Sequence, residues 1–432
     1  MKIIYIVVFT TVIIISSCKN SSNSDKFITS AKDYNYFLNI KNNEVLQATR
    51  DDYRFWEKKY EKESNQHPYL VKAAASQSKL FNQTGCIDNL IRAEKILVEA
   101  NQAINYSNSS YLRSLASNYI SQHRFKEALS LLQKAESIGD KRKASEKMLF
   151  DVHLELGNIK EAKAYLAKIE NYKDFDFLIR LSKWSDYNGD LDKAIFYLRK
   201  ATEIAESSKN KALMLWAYTN LADFYGHAGK IEASYHHYIK ALKLNPNDAY
   251  AKKGIAWIVY SYEKNPDEAL RILNAIGKTY NAPDNYLLKA EIAEFKGDIN
   301  LRNEQLALYQ KSINNKLYGD MYNKYSVLLY AENKKQTASA LKIAFNEIDN
   351  RPTPQSYDLL AWTYYNHGDI KEALKIMEDY VAGKTFEPEI LFHLATIYKA
   401  NGKQEEADNL KKELEKSTFE LGPLMTQKIF KI

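Results

Sequence analysis

The stretch Trp216-Ala-Tyr-Thr-Asn-Leu-Ala-Asp-Phe-Tyr-Gly-His-Ala-Gly-Lys-Ile-Glu-Ala-Ser-Tyr-His-His-Tyr-Ile-Lys-Ala-Leu-Lys-Leu-Asn-Pro246 decides the fold. Tyr218, Leu221, Ala222 and Tyr225 stand at i, i+3, i+4 and i+7, which puts them on one face of a first helix. Gly229 permits a turn. Ile231, Ser234, Tyr238 and Ala241 face back from a second helix, and Pro246 ends the unit. Ala222 and Ser234 are small because the two helices cross there. A leucine at either position would overpack the crossing at a cost of about 1–3 kcal/mol.

Outward from this unit, the small residue of the second helix returns along most of the chain. Ala128, Ala162, Ala194, Ser234, Ala269, Ala338, Ala373 and Ala407 follow one another at steps of 34, 32, 40, 35, 69 (two periods), 35 and 34. A period of this length is the signature of stacked helical hairpins, each burying its apolar face against its neighbours. Copies of the unit recur as Leu112, Leu115, Ala116, Tyr119 with Ala128, and as Tyr357, Leu360, Ala361, Tyr364 with Ala373. Another has Leu391, Leu394, Ala395, Tyr398 with Ala407. Gly85 with Ala93 marks an eroded first copy. Asn303 interrupts the small-residue pattern near Gly297, and Asn333 replaces the turn glycine before Ala338.

These residues resemble the tetratricopeptide (TPR) repeat. The resemblance implies an all-α, right-handed superhelical solenoid of TPR-like helical hairpins with N- and C-terminal capping helices. About nine or ten hairpins are expected over residues 69–416. Residues 30–68 carry helical spacing and are expected to form N-terminal capping helices, and residues 417–432 a C-terminal capping segment over the open end of the stack.

The N-terminus has the pattern of an export signal. Lys2 supplies a charge, Ile3 to Ile15 form an apolar core, and Ser16-Ser17-Cys18 follow. The core falls short of the roughly 20 apolar residues that span a bilayer. Small residues before a cysteine at this place resemble the lipobox of lipoproteins of Gram-negative bacteria. That resemblance implies a signal peptide over 1–17, acylation of Cys18, and a Ser/Asn-rich tether over 18–29. The implied location is membrane-anchored, in the periplasm or at the outer membrane. With Cys18 acylated, Cys86 has no partner for a disulfide and is expected to be a half-buried packing residue.

Composition argues against several function classes. Gly and Pro number only 14 and 8, too few for the punctuation of a β-sandwich or an α/β enzyme. The net charge of +7 comes from 61 basic and 54 acidic residues spread along the chain, with no basic run carrying interleaved aromatics, so nucleic acid is not an expected partner. None of the eight histidines forms the i, i+4 pair with intervening Glu of a zinc hydrolase, and no nucleophile elbow, phosphate-cradling loop or Cys-x2-Cys pair appears. No enzyme, cofactor or metal is expected.

Periodicity does mark candidate binding positions. In a TPR superhelix the first helices line the concave face. Counting two residues beyond the packed leucine gives a column that includes Asp223, Trp257, Glu291, Val327 and Trp362. A second column three residues on includes Tyr260, Glu294, Tyr330 and Tyr365. A third, four residues back, includes Lys253. Two readings compete for Trp257 and Trp362: packing between units, or an aromatic groove for a protein or peptide partner, with Lys253, Glu291 and Glu294 fixing its polarity. A glycan-binding lipoprotein of SusD type is the alternative, since 32 tyrosines and five tryptophans could stack on sugars. That family, however, inserts long Gly-, Pro- and Asp-rich loops that this chain lacks.

Overall fold

The computed structural model describes residues 27–40 and 42–432, and all regular structure in them is helical. The signal core and Cys18 lie outside the described residues. The first helices are α1 (Ala31–Leu38) and α2 (Glu44–Lys62). Ten hairpins follow: α3 (Pro68–Thr84) with α4 (Ile87–Gln102), α5 (Ser109–Ser121) with α6 (Phe125–Ile138), α7 (Arg142–Glu155) with α8 (Ile159–Lys168), α9 (Phe175–Tyr187) with α10 (Leu191–Ser207), and α11 (Lys211–His227) with α12 (Ile231–Leu244). The second five are α13 (Ala249–Ser261) with α14 (Pro266–Ile276), α15 (Asp284–Lys296) with α16 (Ile299–Ile313), α17 (Asn323–Ala331) with α18 (Thr337–Asn350), α19 (Pro354–His367) with α20 (Ile370–Tyr380), and α21 (Pro388–Ala400) with α22 (Gln404–Leu414). A last helix, α23 (Thr418–Ile429), ends the chain.

Several helices begin where a side chain satisfies their first N–H groups. Asn210 Oδ1 accepts from the amides of Ala212 and Leu213 and starts α11, and Asp248 Oδ1 accepts from Ala251 N at 2.8 Å and starts α13. Most hairpins then close on a small residue three positions into the second helix. Ala128, Ala162, Ala194, Ala269, Ala373 and Ala407 are fully buried, and Ser234 nearly so. At one crossing the helices are also bonded directly, with Ser182 Oγ donating to the carbonyl of Ala194 at 2.7 Å.

Two hairpins depart from the counted register. Ala338 is exposed, and the buried crossing residue of α18 is Ala340, two positions on. The α17–α18 turn, residues 332–336, is longer than the α11–α12 turn, residues 228–230, which moves the crossing residue without leaving a trace in the small-residue pattern. In α16 the equivalent place is Arg302, and Asn303 faces solvent. Cys86 is exposed instead of half-buried, because α4 starts only at Ile87, and Ile87 and Leu90 take the buried positions.

The stack winds until it meets itself, so that hairpin turns of the first half seat on inter-hairpin connections of the second. Thr84 O accepts from Asn281 N at 2.8 Å. Ile87 and Leu90 cluster with Tyr318. Arg351 reaches Glu155, 196 residues away, at 3.5 Å and lies over the Phe125 ring. Gly189, in the left-handed region at φ 75°, closes the α9–α10 turn directly beneath Phe386. A Cβ there would stand 2.7 Å from that ring.

The chain ends do not simply cap the stack. α2 packs on α3, with Ser76 Oγ donating to Asp52 Oδ2 at 2.5 Å. The arm before it runs to the middle of the solenoid. Thr29 N donates to Glu263 Oε1 at 2.6 Å, Tyr34 OH to Glu268 Oε1 at 2.6 Å, and Tyr235 OH to Asp33 Oδ2 at 3.0 Å, which holds α1 on α12 and α14. Of the two N-terminal helices, then, only α2 covers the first hairpin. α23 departs further from expectation: it lies across α11, α13, α15 and α21, inside the stack, as well as against α22.

Because each crossing is shared with the next hairpin, damage should stay local. Ala222→Leu, at a position with no exposed surface, is expected to cost about 1–3 kcal/mol and to lower hydrogen-exchange protection most in α11 to α13. Uniform loss of protection over the whole chain would contradict a repeat-wise distribution of stability.

Candidate functional site

α11, α13 and α15 are successive first helices, and their in-phase residues Asp223, Trp257 and Glu291 look onto the same space. That space is occupied by the start of α23. The Phe419 carbonyl accepts two hydrogen bonds, from Trp257 Nε1 at 3.1 Å and from Ser261 Oγ at 2.6 Å. The Phe419 ring rests on the backbone of Gly226, where a Cβ would come within 2.8 Å of it. At Gly422 the helix is interrupted, with φ 80° and ψ 171°, and Pro423 follows. A Cβ on Gly422 would stand 2.9 Å from the Trp257 ring and 3.0 Å from Glu291 Oε1. Leu421, just before this break, and Ile429, beyond it, join the apolar cluster of the last three hairpins, while Phe419 packs with the central one.

The groove is built from aromatic rings and carboxylates. Asp223 accepts from the hydroxyls of Tyr238 and of Tyr250, the latter at 2.7 Å, and burial pushes its carboxyl up. Tyr260 OH donates to Glu291 Oε1 at 3.1 Å. Burial raises the Glu291 carboxyl from its ordinary 4.5 to about 7, against that hydrogen bond and with help from Glu389 and Glu294. Asp186, and Glu420 of α23 itself, are pushed up by burial as well. Lys253 is engaged by Asp284, and Glu294 by Arg302 at 2.6 Å, so neither is a free charge. A cavity of about 290 Å³ remains between Phe419, Trp257, Asp223, Tyr250 and Lys253.

The structure separates the expected site residues into two groups. Asp223, Lys253, Trp257 and Glu291 gather around the start of α23. Tyr260 belongs with them only through its hydroxyl: its side chain has no exposed surface and packs edge-on against Phe295. Trp362 and Val327, expected on the open face, are buried. Trp362 is stacked between Tyr365 at 5.0 Å and His393 at 3.9 Å, and His393 Nδ1 pairs with the buried Asp358 at 3.0 Å. Trp362 is therefore a packing residue, and Tyr330 and Tyr365 are half-buried against the same cluster. Contacts between adjacent hairpins bury these positions, which is the packing reading of the two.

Four contributors were not expected: Gly226, Ser261, Phe419 and Gly422. Gly226 had a signal, because a glycine inside a helical pattern weakens the helix and marks a close approach. So had Gly422-Pro423, as a break after an exposed-looking phenylalanine. Among the described residues no group of three or more His, Cys, Asp or Glu is arranged to hold a metal ion.

Two outcomes follow from this geometry. Trp257→Phe keeps a ring under Gly422 but removes one of two bonds to the Phe419 carbonyl. It is expected to weaken docking of residues 418–424 by about 1 kcal/mol, read as about fivefold faster amide exchange there with α3–α10 unaffected. The second concerns pH. Glu291 is faced by Tyr260 from α13, by Glu294 on its own helix, by Glu389 of α21 and by Lys428 of α23. Its carboxyl holds a proton up to about pH 7 when docked and ionises from 4.5 when freed, so docking takes up a proton. Docking should weaken as pH rises from about 4.5 to about 7 and level off above it, and the raised Asp186, Asp223 and Glu420 act in the same sense. Amide exchange at pH 5.5 and 7.5, corrected for intrinsic rates, checks this. A slope of opposite sign, or one unchanged by Glu291→Gln, would contradict it.

Comparison with known proteins agrees with the hairpin reading. The tetratricopeptide repeat model matches residues 177–208 and 217–248, which are the hairpins α9–α10 and α11–α12. No curated protein sequence matches the chain. Among solved structures, a human IFIT1 dimer with m7Gppp-AAAA is similar at 15% identity and a TM-score of 0.48, covering 76% of this chain and 75% of that one. A human IFIT1 dimer with PPP-AAAA gives 15% and 0.46, covering 72% and 71%. YrrB, described as a TPR protein with an unusual peptide-binding site, gives 20% and 0.27, covering 45% of this chain and 95% of that one. Over its described residues the chain is an all-helical solenoid that carries tetratricopeptide repeats.

Proposed function

We propose that this chain is a lipid-anchored scaffold that binds polypeptide segments of a protein partner in the periplasm or at the outer membrane, and that it is not an enzyme. One observation carries the reading: the inner face of α11–α15 already holds a polypeptide, through its backbone carbonyl at Phe419 and its aromatic side chain. A surface that satisfies a main-chain carbonyl with two donors and seats a ring on a glycine is suited to peptide recognition. No basic run with interleaved aromatics is present to hold the phosphates of a nucleic acid. Anchoring rests on the Ser16-Ser17-Cys18 pattern. Because the arm after the tether is bonded to Glu263 and Tyr235, an anchor at Cys18 would hold the solenoid by its flank.

Both halves are testable in the native host. Cys18→Ala should leave an unprocessed precursor that takes up no labelled fatty acid, and normal trimming and labelling of that variant would remove the anchor. A photo-reactive residue in place of Lys253 should crosslink to a discrete protein partner, and the adduct should be lost with Trp257→Ala. Glycan-array binding without any protein adduct would favour the glycan-binding alternative.

A further inference from the structure

We propose that residues 417–424 are an internal ligand that competes with the partner, and that the partner segment presents an aromatic residue followed at the third position by glycine, with a neutral or basic residue where this chain has Glu420. The inference rests on the groove reading above and names the occupant of that same site.

The contacts of Phe419 and Gly422 can be supplied by another polypeptide. They consist of one carbonyl, one ring over Gly226 and one residue without a side chain between Trp257 and Glu291. The spacing from ring to glycine is fixed by the distance between the Gly226 and Trp257 surfaces on adjacent first helices. Glu420, by contrast, is poorly matched. It enters beside Asp186 and Glu387, which oppose its charge, while Lys324 acts the other way and His227 Nδ1 lies 4.0 Å from Oε2. The segment is thus held by backbone and apolar contacts against like charge. A partner that keeps the first two features and replaces the carboxylate loses that opposition and gains attraction from Asp186 and Glu387. The short connection from α22, over Glu415–Ser417, raises the local concentration of the weaker internal ligand.

Labelled peptides spanning residues 415–428 test this, one with the native sequence and one with Glu420→Lys. Each is titrated by fluorescence anisotropy into the full chain and into its Gly422→Ala variant. Alanine at φ 80° in contact with Trp257 should release the internal segment, and Phe419→Ser serves as a second releasing variant. Amide exchange of 418–424 and a thermal melt report release without loss of the fold. The native peptide is expected to bind the released chains at least about tenfold more tightly than the intact chain. The Glu420→Lys peptide is expected to bind more tightly still, and Trp257→Ala in the released background should abolish both. Equal affinity for intact and released chains would overturn internal competition. Weaker binding of the Glu420→Lys peptide would overturn the charge preference. If the released chains bind neither peptide yet still form the Lys253-position adduct with a protein, the proposed motif is wrong and the groove reading stands. If the adduct is also insensitive to Trp257→Ala, the groove reading itself fails.

Discussion

The close crossing of two helices at one small side chain is the constraint on which the rest of the structure depends. Ala222 against Ser234, and Ala361 against Ala373, let each hairpin close without a gap or a clash. A closed hairpin exposes one apolar face to the next, so the units stack. Ten repetitions of nearly the same rotation bring the stack round until its first turns meet its later connections. The groove exists only because α11, α13 and α15 are held in phase by those crossings and present Asp223, Trp257 and Glu291 in one line.

Self-contact changes what the inner surface is. In an open arc the concave residues would be solvated. Here the first half is bonded to the second through Thr84 with Asn281, Glu155 with Arg351, and Gly189 under Phe386. Asp186, Asp223 and Glu291 inside that frame lose water without gaining a cation in contact, which is why burial pushes them up together. Such a surface favours occupants that bring backbone donors and acceptors, rings or positive charge.

Legibility of the sequence followed the range of the interactions. Hairpins were readable because a helix crossing needs a small residue at a fixed local spacing, and the crossing positions around Ser234 and Ala373 lie where the pattern puts them. The Ala338 register slipped to Ala340 because the longer turn before α18 changes spacing without changing residue type. Trp257, Asp223 and Glu291 were found by counting phase. Tyr260, Trp362 and Val327 come from the same counting but are buried, Trp362 following the packing reading, because phase does not tell how closely the next first helix packs: Tyr260 meets Phe295 and Trp362 meets His393. The docking of α1 on α12 and α14, and of α23 in the groove, has no periodic signature at all. Only Gly226 inside a helix and the Gly422-Pro423 break hinted that a second segment approaches.

Occupation of the groove by its own chain end is the claim that most of this account turns on. A photo-reactive phenylalanine analogue at position 419, activated in dilute purified protein and mapped by peptide mass spectrometry, measures it directly. The account predicts intramolecular adducts with peptides that contain Gly226 and Trp257. Adducts confined to α22, or found only between two copies of the chain, would contradict it.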